Sequence, residues 1–162
     1  MWHFSIADSA TIIEGVLEYR AAEYSLNFAR LPGLSPEQTS GQDDLTSIAV
    51  GTLQLEIAVQ TRALLYAWGY FPNTAWVRRP LAPPEMKRGS VSLRPPLPTL
   101  SRGVALEYIA AKSWRIEYDE GSGWLYFGDG AAAERVILFA SNTAISLRAD
   151  KAVALWLRPL MV

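Results

Sequence analysis

The chain has 162 residues, half of them hydrophobic, with one histidine, no cysteine and a formal net charge of −1. The lack of cysteine excludes disulfides and thiolate metal sites, and a single histidine excludes a three-histidine zinc site. A net charge near zero argues against a protein dedicated to nucleic acid, and no uncharged apolar run is long enough for a membrane helix. We expect one cytoplasmic domain over residues 1–162, since a single core commonly serves a chain of this size.

The first 31 residues fit two kinds of secondary structure. As a helix, the segment would be capped by Asp8 or Ser9 and would carry one apolar stripe at helical spacing. As strands, it would place Tyr24, Leu26 and Phe28 on one face, alternating with mostly polar neighbours. The amino-terminal segment is therefore predicted to be either a helix packed on a sheet or an extra hairpin.

A period of two marks the clearest strand, at 52–60. Leu53, Leu55 and Ile57 alternate there with polar residues, which is typical of a strand with one face in the core. A second apolar run follows at 63–71, and the polar residues Gln60, Thr61 and Arg62 between the two apolar stretches form a gap short enough for a hairpin. A third short strand is predicted at 74–77, so this part of the chain reads as a β-meander.

Four aromatic residues, which we call the aromatic cluster, lie within nine positions: Trp68, Tyr70, Phe71 and Trp76. Large rings of this kind supply protein cores and the hot spots of protein interfaces. Beside arginines they also resemble the platforms on which single-stranded nucleic acid stacks its bases. The sequence alone leaves these alternatives open.

A basic, proline-rich segment at 78–102, the basic arm, follows directly. Residues 77–102 hold six bases against Glu85 alone, whereas residues 1–76 hold eight acids against three arginines. Six of the ten prolines also fall in the arm. Because proline cannot donate to a sheet ladder, we expect the arm to be extended and to lie at a sheet edge or outside the sheet. Its bases are Arg78, Arg79, Lys87, Arg88, Arg94 and Arg102, and its apolar anchors are Leu81, Met86, Leu93, Leu97 and Leu100.

Short apolar runs separated by turns fill the last third of the chain. The run at 104–119 opens this part of the chain, and from Trp114 onward its alternation predicts a strand at 114–119. Further strands are predicted at 124–127, 135–140, 144–148 and 152–158, with glycine turns at 121–123 and 128–130. Turn signals at this spacing favour a mainly β fold, an antiparallel sandwich or an irregular barrel. Two of these strands are apolar on both faces, so a second layer or a protein partner must cover their outer face.

No pattern in the sequence supports catalysis, and no catalytic residue, metal ligand or cofactor is predicted. His3 lies near the terminus, where a frayed or surface position is expected. Asp119 and Glu120 precede one strand and Asp129 follows it, so about 17 Å of strand should keep these acids apart. They are interpreted as turn residues exposed to solvent.

Three functional hypotheses follow. The first is a non-catalytic interaction protein, a small subunit or inhibitor-type partner, that docks an acidic surface of another protein, or of its own copy, through the aromatic cluster and the basic arm. The second is a subunit that contacts RNA or single-stranded nucleic acid in a ribonucleoprotein complex. The third is a β-barrel carrier of a small hydrophobic ligand.

Overall fold

A computed structural model describes residues 2–31, 44–95 and 99–162. These residues form strands throughout, apart from turns and three 3-10 helices of at most five residues at Ala21–Glu23, Asn73–Ala75 and Ile109–Ser113. The strands are β1 His3–Asp8, β2 Gly15–Arg20, β3 Ser25–Arg30, β4 Leu45–Val50, β5 Leu53–Ala58, β6 Leu64–Tyr70, β7 Val77–Arg78, β8 Lys87–Arg94, β9 Leu106–Glu107, β10 Arg115–Tyr118, β11 Leu125–Gly128, β12 Arg135–Ala140, β13 Thr143–Arg148, β14 Lys151–Leu157 and β15 Leu160–Met161.

The strands form two sheets that pack face to face. One sheet has eight strands in the order β1-β8-β12-β13-β14-β11-β10-β7, and the other has seven in the order β15-β2-β3-β6-β5-β4-β9. Most neighbours are antiparallel, and the two sheets enclose one large apolar core. The predicted mainly β sandwich is thus confirmed. The barrel alternative is wrong, because neither sheet closes on itself over the described residues.

The amino-terminal segment forms strands, so its helical alternative is wrong. β2 and β3 make a hairpin in which Leu17, Tyr19 and Leu26 are buried and their neighbours face outward. The turn between the strands is the short 3-10 helix at 21–23, which ends on Tyr24 with a φ of 52°. Period-two burial supplied by the second sheet therefore outweighed the helical spacing of the same apolar residues.

The predicted hairpin is confirmed as β5 and β6, but the third strand of the meander is wrong in place and length. Thr74 and Ala75 lie in a 3-10 turn, and only Val77 of the predicted residues enters β7. β7 pairs in parallel with β10 of the other sheet, so the chain crosses between the layers after Phe71. The sequence analysis also missed β4, which pairs with β5 along its whole length.

In the last third of the chain all five predicted strands are present within two residues of their expected bounds, as β10 to β14. Apolar residues on both faces of β12 and β14 are buried. Ile137 and Leu155 face the main core, whereas Val136 and Trp156 belong to a separate cluster on the outer face of the eight-stranded sheet. Some element other than the second sheet must therefore cover that outer face.

Candidate functional site

The middle of the basic arm is a strand inside a sheet, which corrects the expectation that the arm lies at an edge or outside it. β8 pairs with β1 over six residues and with β12 at its start. The prolines flank this strand at 80–84 and from 95 onward, and none lies within 85–94. Backbone donors are consequently available along β8, while the prolines confine the irregular chain to its two ends. The anchor Leu97 lies outside the described residues.

The first part of the arm, residues 79–86, crosses the outer face of the eight-stranded sheet, and we call it the strap. Its side chains Leu81 and Met86 are half-buried and pack on the outer-face cluster. That cluster is built on buried Val136, Ala144 and Trp156, with Trp124, Tyr126 and Leu138 around them. The covering layer that the two-sided apolar strands require thus comes from the chain itself.

Hydrogen bonds hold the start of the strap to the hairpin of β10 and β11. The backbone amide of Arg79 donates to the carbonyl of Tyr118 at 3.1 Å. The backbone amide of Leu81 donates to Oδ2 of Asp119 at 3.0 Å, and Oδ1 accepts from the amide of Gly121 at 2.9 Å. These donors favour the ionised carboxylate, with Leu81 contributing most, and they lower the pKa of Asp119 below its ordinary value of 3.8.

Three of the arm's six cations have acidic partners in the same chain. Arg78 pairs with Glu120 at 2.8 Å, Arg79 with Glu117 at 2.9 Å, and Arg94 with Asp150 at 3.2 Å. Each of these arginines is about half exposed or more, and exposed pairs of this kind contribute about 0–1 kcal/mol. An acidic partner could therefore replace the internal acid of Arg78 or Arg94 at small cost, whereas Glu117, the partner of Arg79, is only 14% exposed and would lose more.

The other three cations of the arm are not paired with acids of the described residues. Arg88 donates to the backbone carbonyl of Ala10 at 3.4 Å. Lys87 and Arg102 are exposed, and neither lies in an ion pair with a described acid. Half of the arm's charge is thus available without breaking an ion pair.

The aromatic cluster is divided between the interior and the surface. Phe71 is fully buried, and Trp76 is half-buried against it and against Tyr19, with ring centroids 5.7 and 4.6 Å apart. Trp68 and Tyr70 are 40% and 54% exposed on the outer face of the seven-stranded sheet. The exposed rings and the strap therefore lie on opposite outer faces of the sandwich.

This separation matters for the nucleic-acid hypothesis, which requires rings and cations along one surface. Trp68 donates through Nε1 to Glu56 at 3.0 Å, and the cation on this face is Arg30, which lies over the ring of Tyr66 at 5.8 Å. Burial raises the pKa of Glu56, against the hydrogen bond from Trp68 and the charge of Arg30, which both lower it. The nucleic-acid hypothesis stays a prediction, because the strap and its arginine lie on the opposite outer face from Trp68.

A groove of about 380 Å³ lies beside the strap, over the outer face of the eight-stranded sheet. Paired residues of adjacent strands form its floor: Glu117 lies opposite Tyr126, and Tyr126 lies opposite Trp156. The walls are the strap residues Arg79, Pro80, Leu81 and Ala82 on one side, and Arg115 and Gly130 on the other. Apolar and aromatic surface is thus combined with two guanidinium groups and one carboxylate.

Arg115 and Glu117 share one face of β10, because they are two residues apart. Arg115 is exposed and has no ion pair with a described acid; its guanidinium lies close to Gly130. Glu117 is only 14% exposed and binds Arg79. Among the residues that line the groove the charges therefore run positive, negative, positive, while the carboxylates of Asp119 and Asp129 lie beside it, at the amide of Leu81 and in the turn of Gly130.

Tyr126 is held rigidly in the floor of this groove. Its hydroxyl accepts a hydrogen bond from the amide of Gly130 at 2.9 Å, and its ring meets Trp156 edge to face at 5.0 Å. Burial raises the pKa of Tyr126, so it stays neutral at physiological pH. A fixed floor of this kind can receive a ligand without reorganisation, which favours binding over proton transfer.

Arg115, Tyr126 and Trp156 were not among the candidate residues, although Arg79 was. The period of two at 114–119 already placed Arg115 and Glu117 on one face. The signal that was missing is the crossing of the strap, because sequence spacing gives no indication that residues 79–82 lie above β10.

The residues considered for chemistry do not converge. Asp119 and Asp129 lie at opposite ends of β11 and accept backbone hydrogen bonds within their own turns, as expected. No group of three or more potential metal ligands occurs in the described ranges. His3 was expected in a frayed or surface position. It begins β1 and pairs in register with Arg94, so it is not frayed. None of the helices found in residues 2–31, 44–95 and 99–162 has the length and apolar character needed to cross a membrane.

A second concavity, of about 320 Å³, bears on the carrier hypothesis. It is a largely apolar cleft lined by Trp2, Tyr108, Ile109 and Ala110, with Glu107 at its side. The hydroxyl of Tyr108 is turned inward and donates to the carbonyl of Ala152 at 2.8 Å. The cleft is open and lies at the margin of the main core, to which Tyr108 belongs, so the described residues do not form the enclosed barrel interior on which that hypothesis rested.

Comparison with known proteins adds no family: no family model matches this chain, and no curated protein gives a significant match.

Proposed function

We propose that this protein is a non-catalytic interaction protein that docks an acidic surface of a partner protein against the strap side of its eight-stranded sheet. The observation that carries the proposal is the groove beside the strap, where Arg79 and Arg115 flank a floor of Tyr126 and Trp156. Arginine beside buried aromatic rings is the composition of interface hot spots. The groove therefore joins a charge that selects an acidic partner to an apolar floor that favours its burial.

Two of the remaining arm charges extend this surface. Lys87, at the end of the strap, has no acidic partner among the residues described, and Arg78, at its start, is 70% exposed although it is paired. Arg102 does not take part, because its neighbour Gly103 bonds to Leu45 of the seven-stranded sheet. Exposed positive charge steers an acidic partner toward the surface and raises the association rate. Positive charge around the groove thus supports recognition, while the groove supplies the short-range contacts.

The exposed rings Trp68 and Tyr70 lie on the other outer face, so one flat partner could not touch them and the groove together. We therefore place the primary docking surface on the strap side and assign Trp68 and Tyr70 no part in it. Substitution of these two rings should leave partner capture unchanged.

Affinity capture from a native extract, followed by light scattering of the recovered complex, tests the proposal. The tagged wild-type protein is compared with the double variant Arg79→Glu, Arg115→Glu and with the matched variant Arg62→Glu, Arg158→Glu. We expect the first variant to lose the partner and the second to retain it. A wild-type protein that stays monomeric and retains no stoichiometric partner would contradict the proposed function.

A further inference from the structure

We propose that the groove beside the strap binds the carboxylate side chain of an extended acidic peptide, and that Glu117 competes with that carboxylate for Arg79. This inference rests on the proposed function and identifies the chemistry of its primary contact. It follows from the arrangement of three charged groups over a rigid aromatic floor.

The first step concerns the donors. A guanidinium group has five donors in a planar fork that suits a carboxylate, and Arg79 uses one nitrogen, NH1, for Glu117. Arg115 is exposed and free of any ion pair with a described acid. Both arginines line the same groove. A carboxylate placed between them would receive charge-assisted hydrogen bonds from two sides.

The second step concerns the shape of the site. The groove is open along one side, and its volume of about 380 Å³ lies at the lower end of the range for ligand pockets. The strap wall contains Pro80 and lies over a floor of Tyr126 and Trp156. An open trench with polar walls, in which Tyr126 is more exposed than the covered Trp156, fits a side chain carried by an extended segment, because the backbone of that segment can lie along the trench beside the carboxylate.

The third step concerns Glu117. Its carboxylate is 14% exposed and lies 2.9 Å from Arg79, in the position that a ligand carboxylate would take on this arginine. The ligand must therefore share Arg79 with Glu117 and is repelled by its negative charge. Removal of that charge should strengthen binding, a sign opposite to the usual effect of removing a polar residue from a binding site.

Isothermal titration with an acetylated, amidated tetraglutamate peptide at low salt tests this inference on the full chain. We expect Arg115→Ala to weaken binding about tenfold and Glu117→Gln to strengthen it several-fold, as for charge-assisted hydrogen bonds. The matched control is Arg158→Ala, which removes an arginine that lies over Trp124 at 5.9 Å, outside the groove. Circular dichroism melting of each variant shows that it is folded, and Arg115→Gln repeats the test with a longer side chain.

Two further titrations, with tetraglutamine and with glutarate, define the ligand class. Tetraglutamine should not bind, and glutarate should bind at least about tenfold more weakly than the peptide, since it lacks the backbone that covers the floor. Equal effects of Arg115→Ala and Arg158→Ala, or glutarate binding as tight as that of the peptide, would overturn the inference. If it fails while the double variant Arg79→Glu, Arg115→Glu still loses the captured partner, the proposed function survives with a different contact in the groove.

Discussion

The two outer faces of the sandwich both carry tryptophan side chains, but they differ in how those side chains are covered. On the eight-stranded sheet, Trp156 is 7% exposed because the strap covers it with Leu81 and Met86. On the seven-stranded sheet, Trp68 is 40% exposed, and its indole nitrogen donates to Glu56. One face is closed by the chain's own apolar segment, and the other stays open with polar groups beside its rings.

The difference shows what a proline-rich segment can do in a β fold. Proline cannot serve in the interior of a sheet, but it suits an extended segment that lies across one. The strap fills that role and brings arginines to the rim of the surface that it covers. On the eight-stranded sheet the strap therefore both covers the outer-face cluster and forms one wall of the groove.

The largest expected effect is on stability, from Trp156→Ala. Loss of this buried ring should reduce the free energy of unfolding by about 3–5 kcal/mol, the usual cost of removing a buried aromatic side chain. The matched variant Trp68→Ala, on the open face, should cost no more than about 1 kcal/mol. Urea unfolding followed by circular dichroism measures both, and equal losses would mean that the two faces do not differ in cover.

The double variant Leu81→Ala, Met86→Ala should come next. We expect a loss of about 2 kcal/mol, below the range for two fully buried residues because both side chains are only half-buried. Binding of a hydrophobic dye should rise, since the outer-face cluster would be uncovered.

Leu160→Ala, Met161→Ala is the control for that variant. It removes the same residue types at positions that are 62% and 45% exposed. It should therefore change neither the free energy of unfolding nor the binding of the hydrophobic dye appreciably. Unchanged dye binding after loss of Leu81 and Met86 would show that the strap does not act as a cover.

Asp119→Ala should detach the start of the strap and lower stability at neutral pH, because the backbone hydrogen bonds to its carboxylate are lost. Because the pKa of Asp119 is lowered in the folded protein, its contribution is present above pH 3.8 and is lost as the pH falls through the folded-state value. The difference between wild type and variant should therefore shrink in acid. Asp129→Ala, which removes a single turn hydrogen bond, should cost less, and unfolding curves at pH 7 and pH 3 compare the two.

The smallest change in stability is expected from Glu56→Gln on the open face, and it should be a gain, whereas the variants of Trp156, the strap and Asp119 lose stability. Burial raises the pKa of Glu56 above 4.5, so the wild type loses stability as the pH rises from 4.5 through the folded-state value. Glu56→Gln keeps an oxygen for Trp68 and should raise stability at pH 7 by at most about 0.5 kcal/mol. No change is expected well below pH 4.5, and a loss of stability at pH 7 would contradict the argument. Glu23→Gln, an exposed change on the same sheet, is the control.

Local patterns predicted most of the strands because their cause is local. The alternation at 52–60 encodes one buried face and the apolar run at 135–140 encodes two, and both strands form where they were expected. The prediction of the third strand of the meander was wrong because that part of the chain depends on contacts distant in sequence. The chain changes sheets after Phe71, and the backbone groups of Val77 and Arg78 find their partners on β10, about 40 residues later.

The candidate site was predicted only in part. Arg79 was found because charge is visible in the sequence, whereas Phe71 and Trp76 were assigned to a surface and lie in or against the core. Exposed and buried rings share the same composition, so only packing distinguishes them. Arg115 was overlooked because its importance comes from the strap that passes beside it.

The sequence by itself determined that the chain is mainly β, that some of its strands have two apolar faces to cover and that its positive charge is concentrated at 78–102. Periodicity, apolar content and charge are properties of neighbouring residues, and they can be read without a fold. The tertiary structure alone decided that Lys87–Arg94 lies inside a sheet, that the strap closes the outer face, and that Arg79 meets Glu117. These are contacts between residues far apart in the chain, and they depend on which strand edges and apolar faces are left to be satisfied when the sandwich forms.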